Sequence, residues 1–379
     1  MARQVASLTI AAALFAGVAP SAQAQAPQEL KSRNGTIKVE TFATGLDHPW
    51  GSAFLPDGNL LVTERPGRLR RVDRDGTISP PIDGLPRIWS QGQGGLLDVA
   101  IDPNFGRNRL VYVSYSEAGD GGASTAVARG RLSQDMAALE NVEVIFRQVP
   151  KVSGPNHFGS RLAFAPDGKL FIGLGERFKF DPAQDLSSTL GKVVRINPDG
   201  TVPKDNPFVG RDGVRPEIWS SGHRNIQGAA IDPRSGKLWV HEFGPRGGDE
   251  INLPEPGKNY GWPLVSWGRH YDGRDIPDPP TRPDLAGSVH YWNPVVSPSG
   301  MVFYQGDRFP AWKGSILMGG LSSQALLRVA VDGERVTDEE RLPLGVRIRD
   351  VAEGPDGAVY LFTDESAGKI LRLTPAQGN

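Results

Sequence analysis

Cysteine is absent from the 379 residues. Disulfides, thiolate metal sites, iron–sulfur clusters and thioether-bound haem are therefore excluded, and any redox chemistry must use a non-covalent cofactor. An excess of either charge is also lacking: 42 basic residues face 43 acidic ones, for a net charge of −1. So balanced a surface argues against nucleic acid or an anionic membrane as partner. Amphipathic helical periodicity is nearly missing, which argues against a TIM barrel or a Rossmann fold. One short helical turn is expected at Asp135–Asn141. Beyond the N-terminus no run is long and apolar enough for a membrane helix, so the mature chain is expected to have no span.

What is abundant is turn chemistry. The 47 glycines and 32 prolines are dispersed between apolar runs, and hydrophobic content is 38%. That combination describes a cored protein with many turns rather than a disordered one. The N-terminus carries Arg3, an apolar stretch from Ala6 to Val18, and Ser21-Ala22-Gln23-Ala24. This is the pattern of a secretory signal, with cleavage expected near Ala24 and a periplasmic or secreted product.

One unit recurs: an apolar pair, Pro-Asp-Gly or a variant, then β-branched and aromatic residues. It reads WGSAFLPDGNLLVTE from Trp50, LLDVAIDPNFGRNRLVYVSY from Leu96, RLAFAPDGKLFIGLGE from Arg161 and IQGAAIDPRSGKLWVHE from Ile226. A weaker copy starts at Pro294, and RDVAEGPDGAVYLFTD starts at Arg349. Pro presets one dihedral, Asp bonds back to the backbone and Gly accepts positive φ, so each copy is strand, tight turn, strand. Six copies at roughly 50–70 residues predict an all-β fold. The expected architecture is a six-bladed β-propeller with four-stranded antiparallel blades, one domain over residues 25–379. The longest insertions, 177–191, 245–261 and 266–289, are expected to build the site on one face.

Candidate chemistry is spread over these loops. Asn156-His157-Phe158-Gly159 precedes the third copy, and a histidine at a loop–strand junction suits a general base. Arg224 and Asn225 enter the fourth copy with a guanidinium fork and an amide, suited to carboxylates and carbonyls. Gln93 lies in Gln91-Gly92-Gln93-Gly94-Gly95 at the second. Arg347 and Arg349 alternate onto one strand face, where an anionic ligand or a nearby acid would reconcile their charges. His241 to Leu253 and Gly257 to Pro263 place Glu242, Asp249, Glu250 and Tyr260 on irregular Gly-Pro backbone. Oxygen-rich loops of this kind suit a hard cation such as calcium. Each motif alone is more often an ordinary surface turn.

In order, GQGGLLDVAIDP, NHFGSRLAFAPDG, GHRNIQG, EFGPRGGDEINL–GKNYGWP and VRIRDV–GPDG–LFTDES resemble the soluble aldose sugar and glucose dehydrogenases that use pyrroloquinoline quinone (PQQ). The resemblance runs from about Leu46 to Leu373. It implies oxidation of an aldose to a lactone, with PQQ and calcium as cofactors and a separate electron acceptor. It implies His157 as catalytic base and Gln93, Arg224, Asn225, Arg347 and Arg349 as PQQ contacts. Carbonyls of Gly244 and Pro245 would bind the calcium at the cofactor, and Glu250 and Tyr260 a second calcium. Tyr271 would belong to the ion sites. The oligomer is left as monomer or homodimer. Two departures stand out. Asn156 replaces an acid before the base, which favours broad aldose over strict glucose specificity. Ser322 or Ser323 stands where the glucose enzymes carry a lysine near the cofactor. A calcium-dependent propeller lactonase or hydrolase, and a non-catalytic propeller binding module, are the competing readings, because the fold alone does not select a function. The proline-rich insertion Pro277–Pro283 has no assigned role.

Overall fold

The computed structural model describes residues 28–376. The expected signal segment, residues 1–24, lies outside them. The repeat chemistry acts as anticipated. At Pro-Asp-Gly the aspartates accept from N–H groups two residues on: Asn59 N to Asp57 at 2.9 Å, Lys169 N to Asp167 at 3.0 Å, Ala358 N to Asp356 at 3.1 Å. The following glycines, Gly58, Gly168 and Gly357, take left-handed φ of 87°, 78° and 74°.

The chain starts with a hairpin, β1 (Gln28–Ser32) and β2 (Gly35–Leu46). The first blade holds β3 (Pro49–Phe54), β4 (Leu60–Glu64) and β5 (Arg68–Val72). The second holds β6 (Leu96–Ile101), β7 (Leu110–Gly119), β8 (Gly122–Leu132) and β9 (Leu139–Arg147). The third holds β10 (Gly159–Phe164), β11 (Leu170–Leu174), β12 (Lys192–Ile196) and β13 (Ile218–Ser221). The fourth holds β14 (Ile226–Ile231), β15 (Leu238–Glu242), β16 (Asp249–Asn252) and β17 (His290–Trp292). The fifth holds β18 (Pro298–Phe303), β19 (Ile316–Gly320), β20 (Ala325–Asp332) and β21 (Arg335–Pro343). The sixth holds β22 (Ile348–Glu353), β23 (Val359–Thr363) and β24 (Gly368–Pro375).

The result is the expected six-bladed antiparallel propeller. Its first blade has three strands, extended by bridges from Leu69 to Ile82 and from Val72 to Ile78. Its sixth has five, because β2 pairs with β24 and draws the N-terminal hairpin into the last sheet. The inner strands β3, β6, β10, β14, β18 and β22 neighbour one another around the axis, and β22 returns to β3. Apolar side chains fill the gaps between blades. Leu61, Leu69, Leu96, Val111 and Tyr115 pack fully buried between the first two, each contributing about 1.5–3 kcal/mol by leaving water.

The helical turn expected at Asp135–Asn141 is not formed. Ser133 Oγ and Asp135 Oδ1 accept from Ala137 N at 3.1 and 3.2 Å, and these side-chain bonds compete with helix. The described residues instead place a four-residue helix at Phe105–Asn108.

Every inner strand is bulged against its neighbour, at Pro49/Ser52, Leu96/Val99, Gly159/Arg161, Ile226/Gly228, Ser299/Met301 and Ile348/Asp350. A bulge bends its strand and re-aims side chains. Here it sends Trp50, Asp98, Arg161, Gln227 and Arg349 to a common centre. Arg161 is 4% exposed. Its Nη1 meets Asp98 at 3.1 Å and Asp350 at 3.0 Å, and Nε donates to Gln227 O at 2.8 Å. Nη2 donates to the carbonyls of Trp50 and Arg349 at 3.4 and 3.2 Å. One guanidinium thus ties its own strand β10 to four other inner strands on the axis.

Candidate active site

His157 is set by its neighbours before its ring is considered. Its N–H donates to Gln93 Oε1 at 2.8 Å, and the next glycine, Gly159, donates to Asn225 Oδ1 at 3.0 Å. A Cβ on Gly175 would lie 2.1 Å from His157 O, so the end of β11 packs against this turn only as glycine. The ring is buried, and Nδ1 lies 2.6 Å from Glu176 Oε1. Glu176 is fully buried, and its other oxygen accepts from the main-chain N–H groups of Lys179 and Phe180. An ionised carboxylate can only accept, so Nδ1 carries the proton and Nε2 keeps its lone pair. Burial, then the charges of Arg224 and Arg177, lower His157 to about 4 against the pull of Glu176.

Beside this turn is a cavity of about 220 Å³ whose walls include Gln93, Phe158, Gly159, Gln227, Arg347 and Arg349. Trp50, Arg65, Phe243, Ser297, Leu321 and Asp364 complete it. The two arginines of the last blade share Asp364, Arg347 at 2.9 Å and Arg349 at 3.1 Å. Against its own burial, Asp364 is held far below the usual carboxylate range by Arg349 and Arg347. A nearby acid therefore accounts for part of the arginine pairing. One carboxylate does not satisfy two guanidiniums, and Arg349 Nε remains buried with no partner. Arg224 Nε and Asn225 Nδ2 are buried and unpartnered as well. Unmatched buried donors are costly, and a ligand that supplied acceptors here would relieve that cost.

Glu242 and Glu250 face a smaller cavity of about 20 Å³ together with Arg224, Gly244 and Tyr260. Glu242 holds His223 Nδ1 at 2.9 Å and the Arg224 N–H. Asn252 Nδ2 bridges Glu242 at 2.9 Å and Glu250 at 3.3 Å. Burial and the charge of Glu242 push Glu250 up to about 8. The Gly244 carbonyl takes Arg224 Nη1 at 2.8 Å. The Tyr260 hydroxyl is engaged with Leu253 O and Glu255 N, leaving its main-chain carbonyl as its free oxygen donor. Tyr271 is 60% exposed and meets Arg224 Nη2 at 3.2 Å. It and Pro245 line a separate groove of about 890 Å³ with Trp267 and Asn293. Ile276, next to the proline-rich insertion, packs with Ala183 and Trp262 and ties these loops together.

The structure thus brings His157, Gln93, Arg224 and Asn225 into one constellation and Arg347 and Arg349 onto the adjoining wall. Ser322 is exposed, and neither it nor Ser323 is among the cavity wall residues. Sequence reasoning missed Glu176, Arg65, Trp50 and Asp364. A signal for two of them lies in the repeat itself. The second strand of four blades ends at or just before an acid: Glu64, Glu176, Glu242 and Asp364. Each binds the entrance of its own blade: Asp47 N, His157, His223 with Arg224, and Arg347 with Arg349.

Fold and site together define a propeller with an axial pocket whose wall carries Arg65, Arg347 and Arg349, beside a buried imidazole paired with Glu176. The glucose/sorbosone dehydrogenase family model matches residues 46–372, and the chain belongs to that family. It is 48% identical over 347 residues to the aldose sugar dehydrogenase YliI of Escherichia coli (strain K12), covering 90% of this chain and 93% of that protein. The apo crystal structure of the soluble aldose sugar dehydrogenase of Escherichia coli aligns with a TM-score of 0.86 at 47% identity, over 90% of this chain and all of that one (100%). The PQQ-bound aldose sugar dehydrogenase of Streptomyces coelicolor aligns with a TM-score of 0.74 at 31% identity, covering 89% of this chain and 97% of that one.

Proposed function

We propose that this protein is a quinoprotein sugar dehydrogenase that oxidises aldoses at the anomeric carbon to lactones with PQQ and calcium. The observation that carries this reading is the set of buried, unpartnered donors, Arg224 Nε, Asn225 Nδ2 and Arg349 Nε, beside a histidine whose proton Glu176 has fixed on Nδ1. PQQ bears three carboxylates, and guanidinium forks suit carboxylates. Gln93, Arg224, Asn225, Arg347 and Arg349 would hold it, with Arg65 adding a third cation to the cavity wall. When bound, PQQ supplies an ortho-quinone able to accept a hydride, and a calcium beside it makes that quinone more electrophilic.

The protein's own share is positioning and proton transfer. His157 Nε2 takes the proton of the anomeric hydroxyl. The Glu176 carboxylate holds the ring in place and stabilises the imidazolium that forms. Phe178, 38% exposed with its ring centroid 5.0 Å from that of His157, offers an apolar wall to the sugar. Among the described residues no group of three or more acidic or imidazole side chains could hold a metal. Calcium would therefore depend on main-chain carbonyls and water, which its ligand preferences allow. Gly244 and Pro245 would serve the ion at the cofactor, and Glu250 with Tyr260 a second ion. Tyr271 touches this region through Arg224. Electrons would leave to a separate acceptor, and the N-terminal signal pattern supports a periplasmic or secreted location. Asn156 before the base favours broad aldose use.

The lactonase reading gives no reason for unmatched guanidinium and amide donors, and the binding-module reading gives none for an imidazole held by Glu176. The test is to titrate the apoprotein with PQQ, with and without calcium, and then follow dye reduction with several aldoses. Saturable, calcium-dependent binding and a lactone product are expected. If no aldose reduces the dye with both cofactors present, the reading fails.

A further inference from the structure

The clamp on His157 includes a cation that the chemistry above does not use. Arg177 follows Glu176 directly and is 1% exposed. Its guanidinium donates to two main-chain carbonyls, Asn156 O through Nη1 and Gly154 O at 2.5 Å through Nη2. Both carbonyls belong to the turn that delivers His157, and Arg177 N donates to His157 O at 3.1 Å. The guanidinium carbon lies 3.6 Å from the Phe158 ring centroid, and Nε is buried with no partner. Its hydrogen bonds therefore go to carbonyls and an aromatic face supports it, while among the described residues no carboxylate accepts from it. Burying a cation this way is costly.

The backbone it holds is costly too. His157, Arg177, Phe178 and Phe180 have φ of 55°, 61°, 58° and 65°, a region that bulky side chains enter at about 1–3 kcal/mol each. A loop clamp alone would be met by neutral donors. Three charges surround the imidazole: Glu176 after β11, Arg177 beside it, and Arg224 at the entrance to β14. Lys179, on the same loop, turns its amine to Ser153 Oγ at 3.5 Å.

We propose that Arg177 is a positioning residue for the base: its guanidinium fixes the main chain that presents His157, and its buried charge opposes protonation of the imidazole. The inference rests on His157 being the base of the proposed reaction. Arg177 acts with burial and Arg224 in depressing the imidazole's affinity for protons, so the free base survives in acid that would protonate an ordinary histidine.

Two variants test it, first as apoprotein with ring-labelled histidine followed by NMR, then as holoenzyme. In Arg177→Met the His157 midpoint should rise by about 0.5–1 pH unit. Its kcat should fall about ten-fold, with the acid limb moving upward and KM for the sugar little changed. Arg177→Lys keeps the charge but cannot bridge two carbonyls as a fork. Its midpoint should stay at the wild-type value while kcat still falls several-fold. An unshifted midpoint in the Met variant overturns the electrostatic role, and wild-type kcat in the Lys variant overturns the positioning role. If circular dichroism shows that the Met variant does not fold, the Lys variant decides: a raised midpoint there counts against the charge. The NMR arm contains no quinone. A wild-type protein without sugar oxidation would therefore sink the quinoprotein reading and leave the titration to judge Arg177.

Discussion

Two buried arginines near the propeller axis, Arg161 and Arg349, are wired in opposite ways. Every nitrogen of the Arg161 guanidinium is matched, by two aspartates and three carbonyls drawn from four inner strands. Arg349 meets Gln227 at 3.1 Å and a shared Asp364, and its Nε is left over. Both stack near Trp50, with guanidinium carbons 4.1 and 5.8 Å from its ring centroid. The difference separates a residue that builds the fold from one that we propose binds the cofactor. Arg161 spends all its hydrogen bonds on the fold, whereas Arg349, on the cavity wall with a donor left over, can still meet an acceptor there.

The sharpest separation should come from the base. His157→Ala is expected to lower turnover by about 10³- to 10⁴-fold while PQQ affinity, read by absorbance titration, stays near wild type. Unchanged turnover would remove His157 from the mechanism. Next comes Arg161→Leu, which strands Asp98 and Asp350. Urea unfolding should show a loss of about 3–5 kcal/mol, whereas Arg349→Leu should cost far less stability. Equal losses in the two variants would break the comparison. Arg349→Leu should instead weaken PQQ binding by about 10- to 100-fold, as for loss of a charge-assisted hydrogen bond. The acid limb of kcat/KM should fall near pH 4, where His157 gains its proton, rather than at the ordinary 6.5. The sign is that of a base: lowering pH adds the proton, and turnover drops. The smallest effect is expected for Arg65→Ala, a few-fold loss in PQQ affinity, as for one partly exposed cation, with unchanged melting temperature.

Much of this was legible in the sequence because turns announce themselves locally. Pro56-Asp57-Gly58 needs nothing beyond its own neighbours to fold, and six such units imply a ring. The site was legible only in part. His157, Arg224 and Arg349 could be picked out, yet their status depends on partners that ring closure brings to one axis, such as Gln93 on His157 and Gln227 on Arg349. Glu176 was hidden because an acid ending a strand looks like any exposed terminus until its burial is known. The expected helical turn near Asp135 failed for the converse reason, since Ser133 and Asp135 used their side chains on the same N–H.

The pairing of β2 with β24, extended by Ala376 N to Thr36 O at 2.9 Å, joins the start of the described chain to its end. During synthesis the hairpin emerges first and must wait, unpaired along one edge, until the last strand is made. Such distant pairing is slow to form and leaves an edge open to wrong partners. The last blade also carries Arg347, Arg349 and Asp364, while His157 and Glu176 were made three blades earlier. A chain released too early therefore owns His157 and Glu176 but lacks the arginine wall of the last blade, and the completed cavity becomes a certificate that the ring has closed.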